Sequence, residues 1–167
     1  MYNEDFKYYT DYKYVLPEQI NTYNFSECGC ASREYINTYF NQQRFFDKLT
    51  FMPKAYETLR KLSIRNEVII VSSGYSPNLR AKEIWIKEHL PFCKFVGVNL
   101  KKYSDKSHID MKDGLFIDDC SQNLKTSNAK YKICFGEIYP WNEDWKGKWY
   151  WNWDVFYNQI KAELEER

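Results

Sequence analysis

The sequence predicts an α/β fold: a parallel sheet with helices on both faces, preceded by a small helical cap. Two observations support this. From about residue 51 onward, short apolar runs alternate with helical patterns, and strands that alternate with helices require right-handed crossovers and parallel pairing. Residues 1–50 are instead polar, aromatic and mostly helical in pattern, without the Val/Ile runs of a buried parallel sheet. We therefore assign residues 1–50 to the cap and residues 51–167 to the α/β core.

The cap is predicted to consist of short helices. Pro17 suits the first turn of a short helix. Ser32 is a suitable N-cap for a second helix. The apolar residues that follow it recur at helical spacing, at Tyr35, Ile36, Tyr39 and Phe40.

The core is predicted to begin with a helix at Pro53 and a fully buried strand at residues 67–71. A helix at residues 78–90, with Ile84, Trp85 and Leu90 facing inward, follows that strand. Three further strands are predicted at residues 95–98, 115–118 and 132–135, then an aromatic loop at 141–153 and a closing helix at 154–164 with Val155, Phe156 and Ile160 inward.

Composition limits the class of partner and the compartment. With 24 Lys and Arg against 23 Asp and Glu, the net charge is +1, which gives no reason to expect nucleic acid or an anionic membrane as a partner. No apolar run approaches a transmembrane length, and the first ten residues do not resemble a signal peptide. Five cysteines, with Cys28 and Cys30 too close for a relaxed disulfide, indicate reduced thiols and a cytoplasmic protein. A Cys-x-Cys zinc half-site is the alternative, but no second pair accompanies it.

The predicted strand at 115–118 ends in two adjacent carboxylates, Asp118 and Asp119. Buried carboxylates are costly unless a cation or donors oppose them. Ligands bind at the carboxyl ends of strands in open α/β sheets, and hard cations take oxygen ligands. This pair therefore predicts a Mg2+ site. The alternative is a strand that ends in a polar turn, with Asp119 capping the next helix.

Two other polar clusters follow strands. Ser72, Ser73 and Gly74 come after the first strand, where a hydroxyl and free backbone N–H groups can hold a phosphate. Lys106 precedes the Asp pair and suits a phosphate or developing negative charge. A plain turn and a surface lysine are the alternatives for each cluster alone, whereas the three in this order are far more specific.

This order of motifs resembles the second, third and fourth motifs of the haloacid dehalogenase superfamily, and most closely its cytosolic and mitochondrial 5'(3')-deoxyribonucleotidases. The resemblance covers roughly residues 40 to 160, and residues 1–45 match that family's cap only in size and position. It rests on Phe45-Phe46-x-x-Leu49, Met52-Pro53-x-Ala55, Ser72-Ser73, Lys82-x-x-Trp85, Asp105-Lys106, Ile117-Asp118-Asp119 and the late tryptophans.

The resemblance implies a nucleoside monophosphate ligand and Mg2+. It places Ser72, Ser73, Gly74 and Lys106 on the phosphate, with Lys106 as the catalytic residue that this sequence retains. Asp118 and Asp119 would hold the metal, and cap aromatics, Phe45, Phe46 or Tyr39, would stack on the base.

The family's first motif, however, is not found. That motif is a hydrophobic strand ending in Asp-x-Asp, whose first Asp attacks phosphorus and whose second is the general acid and base. In the family it precedes the cap, and no Asp-x-Asp occurs here before Pro53. The chain alone is therefore expected to bind nucleotide without turning it over. It would be part of a split or truncated nucleotidase, or else a nucleotide- or phosphate-binding pseudoenzyme or interaction module.

The family's nucleophile strand is central in the sheet, so without it two neighbouring strands would keep unpaired edges. Each unsatisfied backbone group costs on the order of 1–3 kcal/mol, and open edges invite pairing with another chain. An upstream peptide, a second protomer, the stretch at residues 8–16, or collapse of the two flanking strands are the alternatives for closing the gap.

Overall fold

The computed structural model of the chain describes residues 13–22 and 24–165, in which helices alternate with parallel strands. Two 3-10 turns, Pro17–Gln19 and Phe25–Cys28, come first. The helices are α1 (Arg33–Phe40), α2 (Gln43–Phe46), α3 (Ala55–Leu62), α4 (Ser76–His89), α5 (Ser121–Thr126) and α6 (Trp153–Glu165), and the strands are β1 (Ile69–Gly74), β2 (Lys94–Asn99), β3 (Leu115–Asp118), β4 (Tyr131–Phe135) and β5 (Lys148–Tyr150). The predicted α/β fold with parallel strands and helices on both sides is confirmed.

The strands form two sheets rather than one. β1 pairs with β2, and β3, β4 and β5 form a second sheet in that order, with every pair parallel. Within residues 13–22 and 24–165, no strand pairs with the second edge of β1 or of β3. This is the arrangement expected when the central strand of the sheet is not among the described elements.

Hydrogen bonds identify which backbone groups of β1 lie on its unpaired edge. The carbonyls of Val68 and Gly74 accept from Lys94 N and Leu100 N, on the side of β2. Successive residues of a strand turn their backbone groups to opposite sides, so the groups of Ile69, Val71 and Ser73 lie on the other edge. We call this side the open edge of β1.

The same argument locates the open edge of β3. Gly114 O accepts from Tyr131 N on the side of β4, so the backbone groups of Leu115 and Ile117 lie on the opposite edge. Ile69 and Leu115 are 43% and 37% exposed, whereas Ile133 in the centre of the three-stranded sheet is 1% exposed. The prediction of a fully buried strand at 67–71 is therefore wrong, because β1 is paired on one edge only.

Helix α3 connects the two sheets. Leu59 packs against the buried cluster around Trp85, which also receives Ile70 of β1. Leu62, on the same helix, packs against the cluster around Phe156, which receives Ile117 of β3. Burial of apolar area against both clusters holds the sheets together on this face.

Three other sequence expectations also differ from the structure. The region at 141–153 is not all loop, because β5 pairs there with β4; its three residues are too short for a periodic signal. Ile84 is 46% exposed because Ala81 and Trp85, one turn apart, form the buried face of α4. Val155 is 39% exposed because Phe156 and Ile160 take the corresponding role in α6.

In the cap, Ser32 Oγ accepts from Tyr35 N at 3.2 Å, as the predicted N-cap requires. Lys13 N donates to Cys30 O, and Val15 packs against the buried cluster around Trp85, to which the cap contributes Tyr39 and Phe45. Residues 13–16 therefore belong to the cap and do not close the gap between the sheets. Residues 8–12 of that predicted stretch lie outside the described residues.

Candidate active site

A cavity of about 520 Å³ lies between the cap and the carboxyl end of β1. Its size is within the range of small-molecule sites. Ser73, Gly74, Asn78 and Lys82 line the side formed by β1 and α4. The cap side is aromatic and polar, and includes Phe25, Phe40, Phe45, Phe46, Arg33 and Asn37.

The serine turn contributes one of its two serines to this cavity. Ser73 and Gly74 line it, whereas Ser72, whose side chain points to the opposite face of the strand, does not. A Cβ at Gly74 would overlap Asn78 Oδ1, so the glycine permits this close approach. Asn78 Nδ2 in turn donates to Phe40 O at 2.7 Å and joins α4 to the cap.

Lys82 is a site residue that the sequence analysis noted only as part of a motif. Its Nζ donates to Ser73 O on the open edge of β1, at 2.8 Å. Burial, together with the positive charge of Lys106, lowers the pKa of Lys82 to about 8. The available sequence signal was its position one turn after Asn78, near the start of the helix that follows the serine turn.

Lys106 and Asp118 form a buried ion pair at the carboxyl end of β3. Lys106 Nζ lies 2.5 Å from Asp118 Oδ2, and the two side chains are 12% and 3% exposed. The positive charge of Lys106 adds to the effect of burial in lowering the pKa of Lys82. The structure thus pairs Lys106 with Asp118 and joins Lys82 to Ser73, and the common phosphate-and-metal pocket of Ser72, Lys106 and Asp118 stays a prediction.

The other oxygen of Asp118 is also engaged. Asp118 Oδ1 accepts from Cys120 N at 2.9 Å and from Asn123 Nδ2 at 3.0 Å. The N-cap residue of α5 is Cys120, not Asp119, and the side chain of Cys120 makes no cap hydrogen bond. The side chain that bonds the backbone at this turn is Asp118, so the alternative proposed for Asp119 applies to its neighbour.

The carboxylates of Asp118 and Asp119 are the right chemistry for Mg2+, but their arrangement does not fit a metal. Asp118 accepts three N–H donors, one of them a lysine ammonium. In the part of the chain that the structure describes, no group of three His, Cys, Asp or Glu side chains could hold a metal ion. As arranged, Asp118 is the partner of Lys106.

The aromatic residues expected to stack on a base divide into two groups. Phe45 and Phe46 line the cavity. Tyr39 is 3% exposed and does not; its ring packs edge-on against Phe45, with centroids 5.3 Å apart, so it supports the wall. Phe25 and Phe40 also line the cavity, and the sequence analysis did not name either of them as a residue that contacts the base.

The family comparison decides the affiliation. The model of the family described as "5' nucleotidase, deoxy (Pyrimidine), cytosolic type C protein" matches residues 1–164. The chain belongs to this family. The match confirms the nucleotidase resemblance and extends it through the cap, which the sequence motifs had matched only in size and position. No curated protein sequence is significantly similar to the chain.

This family member shows no sign of a membrane segment: none of the helices within the described ranges has the length and apolar character that a bilayer crossing requires.

The lowered pKa of Lys82 predicts pH-dependent anion binding by this nucleotidase-family chain. Below about pH 8 Lys82 is charged, and above it the charge is lost, so orthophosphate affinity is expected to fall as the pH rises through 8. Binding should also raise the pKa of Lys82 and take up a proton at a pH of about 8 or just above. Calorimetry in two buffers of different ionisation enthalpy measures that uptake.

Lys82→Met is expected to abolish the proton uptake, whereas Lys87→Met, an exposed lysine on the same helix paired with Glu83, should leave it unchanged. The sign for stability is separate. The pKa of Lys82 is lower in the folded chain than in the unfolded chain. The contribution of Lys82 to the free energy of unfolding therefore increases as the pH rises above about 8. Proton uptake that persists in Lys82→Met would contradict the assignment.

Proposed function

We propose that the chain is the nucleotide-binding part of a phosphomonoesterase that acts on nucleoside monophosphates in the cytoplasm. The cavity supports this most directly, because it joins an aromatic cap wall to a buried lysine and a serine turn. Phosphate needs donors and positive charge, while a base needs an apolar or aromatic face. One cavity offers both.

In this proposal the phosphate lies against Ser73, Gly74 and Lys82, and Lys106, in the segment between β2 and β3, adds positive charge. Ser72 is part of the predicted phosphate-binding turn, but it does not line the cavity. Phe45 and Phe46 contact the base, and Tyr39 supports Phe45 from behind.

The attacking carboxylate is proposed to come from outside residues 1–167, because no Asp-x-Asp lies among them. The open edges of β1 and β3 fit an added parallel strand, from an upstream peptide or from a second protomer, since no strand within residues 13–22 and 24–165 pairs with either edge. The family affiliation suggests Mg2+ as the cofactor of the completed site, with Asp118 and Asp119 as the carboxylates that the sequence offers for it, but Asp118 as arranged here, with three N–H donors, does not fit the metal. The second candidate function is a binding module that has kept the cavity and does no chemistry.

Calorimetry with nucleoside monophosphates tests the binding proposal. We expect a Kd of millimolar or tighter, weakened about tenfold in Lys82→Met because a charge-assisted hydrogen bond is lost. Lys87→Met, on the exposed face of α4, should bind as the parent does. Absence of binding at millimolar ligand would refute the nucleotide site.

A phosphate-release assay on the same samples tests inactivity. The chain alone should not hydrolyse nucleoside monophosphates with Mg2+, since carboxylate catalysis needs the carboxylate. Mg2+-dependent activity that disappears in Asp118→Ala would show that the 167 residues already hold a complete active site.

A further inference from the structure

Helix α4 makes one polar contact with the cap and another with β1. Asn78 Nδ2 donates to Phe40 O, the last residue of α1, at 2.7 Å. Lys82 Nζ donates to Ser73 O at 2.8 Å. Residues four apart in a helix lie on the same face, and both of these side chains line the cavity. One face of α4 therefore contacts both walls of the cavity, the cap wall through Asn78 and the β1 wall through Lys82.

On the cap side, Asn78 satisfies a carbonyl at the end of α1. The last four carbonyls of a helix have no partner within the helix. Tyr39 O accepts from Gln42 N inside the cap, whereas Phe40 O accepts from Asn78 of the core. The ring of Phe40 lines the cavity and packs edge-on against Phe45, with centroids 5.0 Å apart. The hydrogen bond from Asn78 thus fixes the position of a ring that supports the proposed base contact.

On the core side, the same amide lies against the serine turn. A Cβ at Gly74 would overlap Asn78 Oδ1, and the three nearest atoms that it would meet all belong to Asn78. The amide cannot turn round, because its oxygen would then face Phe40 O, which is also an acceptor. The two ends of the amide therefore contact the cap and the turn at once, and the amide sets their separation.

Apolar packing also holds the cap on α4. The two share one buried cluster, to which the cap contributes Phe46 and α4 contributes Trp85 and Ile86. Hydrophobic packing of this kind is not directional, whereas a hydrogen bond has a defined length and angle. The cluster should keep the cap attached without Asn78, while the exact place of the aromatic wall depends on the hydrogen bond.

We propose that Asn78 is a positioning residue: its amide holds the aromatic cap wall and the serine turn at the separation that lets the base and the phosphate of one nucleotide bind together. This inference rests on the proposed function and adds the residue that joins its two halves. Two linked groups gain affinity from their linkage only when the spacing of their subsites matches the linker. Without Asn78 each half of the cavity keeps its own contacts and loses the benefit of the linkage.

NMR titration with two ligands tests this. Deoxyuridine monophosphate carries a base and a phosphate, and it fits the pyrimidine deoxynucleotide class in the description of the family. Ribose 5-phosphate carries the phosphate without a base. We expect the parent to bind deoxyuridine monophosphate about tenfold or more tightly than ribose 5-phosphate. Asn78→Ala should reduce this preference to about twofold, and its affinity for ribose 5-phosphate should stay within about twofold of the parent's.

Asn99→Ala is the matched control. Asn99 Nδ2 donates to Ser76 Oγ, at the first residue of α4, and its Oδ1 accepts from Lys101 N. Asn99 is not among the residues that line the cavity, and these hydrogen bonds stay within the core. The preference for deoxyuridine monophosphate should therefore be unchanged. An equal loss of preference in Asn99→Ala would show that any loosening of α4 has this effect, which would overturn the role of Asn78.

Gly74→Ala tests the contact from the side of the serine turn. Gly74 does not have a positive φ, so alanine brings no backbone strain, and its methyl group would displace the Asn78 amide. The preference should fall as it does in Asn78→Ala, and the double variant should lose no more than either single variant. Additive losses would contradict the proposal. Gly74→Ala retains Asn78 in the chain, so it also decides the matter if Asn78→Ala does not fold.

The outcomes separate this inference from the proposed function. If neither ligand binds the parent, both proposals fail. If Asn78→Ala binds both ligands more weakly by the same factor, Asn78 supports the phosphate contacts alone, so the spacing role is wrong and the nucleotide site stands. If Asn78→Ala keeps the full preference of the parent, the hydrogen bond to the cap does not position the aromatic wall, and again only this inference falls.

Discussion

A peptide that forms an apolar strand ending in Asp-x-Asp is expected to raise the phosphatase activity of the chain by on the order of a thousandfold or more. A nucleophile missing from an otherwise assembled site costs at least that much. The groups around the vacant position are in place: Lys82, Lys106 and Asp118 lie at the carboxyl ends of the two open edges. Release of phosphate from a nucleoside monophosphate, with Mg2+ and saturating peptide, measures the gain.

The geometry of the open edges dictates the design of the peptide. β1 and β3 belong to parallel sheets, so the added strand should run parallel to both and bring its carboxylates to the level of Ser73 and Asp118. Its backbone bonds would go to Ile69, Val71 and Ser73 on one side and to Leu115 and Ile117 on the other. About five residues before the first Asp suffice to span β1.

Two control peptides make the complementation experiment specific. An Asn-x-Asn peptide of the same sequence should bind, raise the melting temperature and give no activity, because the strand is restored without its nucleophile. A peptide N-methylated at alternate residues should neither bind nor raise the melting temperature, because its methylated amides cannot donate to an open edge. Activity with the Asn-x-Asn peptide, or no stabilisation by either unmethylated peptide, would contradict the strand-addition model.

The sequence analysis placed Ser72, Lys106 and Asp118 in one predicted pocket because carboxyl ends of parallel strands share one edge of a sheet. The structure pairs Lys106 with Asp118, and Ser73 rather than Ser72 lines the cavity. Which partner Asp118 takes lay beyond the sequence. The Lys106–Asp118 pair depends on which charges are left without other partners, and that is a property of the folded site.

Burial was predicted less well than topology. The run at 67–71 is apolar enough for a buried strand, yet Ile69 is 43% exposed because burial of a central strand also needs neighbours on both edges. Tyr39 of α1 and Phe45 of α2 are both buried aromatic residues of the cap helices. Only their packing shows that Phe45 reaches the cavity while Tyr39 lies behind it. Periodicity identifies a buried face and not what that face contacts.

Asn142→Ala is expected to lower the free energy of unfolding by about 3 kcal/mol, a large loss for one polar side chain. Asn142 is 0% exposed, and its amide joins the aromatic segment after β4 to the end of β3. Its Oδ1 accepts from Tyr139 N at 2.7 Å, and its Nδ2 donates to Asp119 O and Glu137 O, both at 3.1 Å. Alanine would leave three partly buried backbone groups without this partner. Urea unfolding measures the loss.

Asn128→Ala is the matched control. Asn128 also makes two side-chain hydrogen bonds, to Met111 N and Asp110 Oδ1, but it is exposed, so water replaces them and the expected loss is under about 1 kcal/mol. Equal losses in the two variants would mean that the Asn142 amide does not hold the turn at Asp119.

Asn142→Asp separates the loss of hydrogen bonds from the loss of volume. The new carboxylate keeps the acceptor for Tyr139 N but faces two carbonyls where the amide donated. Burial and these carbonyls should raise its pKa above the unfolded value of about 3.9. The destabilisation should then be greatest at about pH 7 and shrink as the pH falls toward about 5, where the protonated acid donates to one carbonyl again. A destabilisation that does not change over this range would show that the amide donor of Asn142 is not what holds the carbonyl of Asp119.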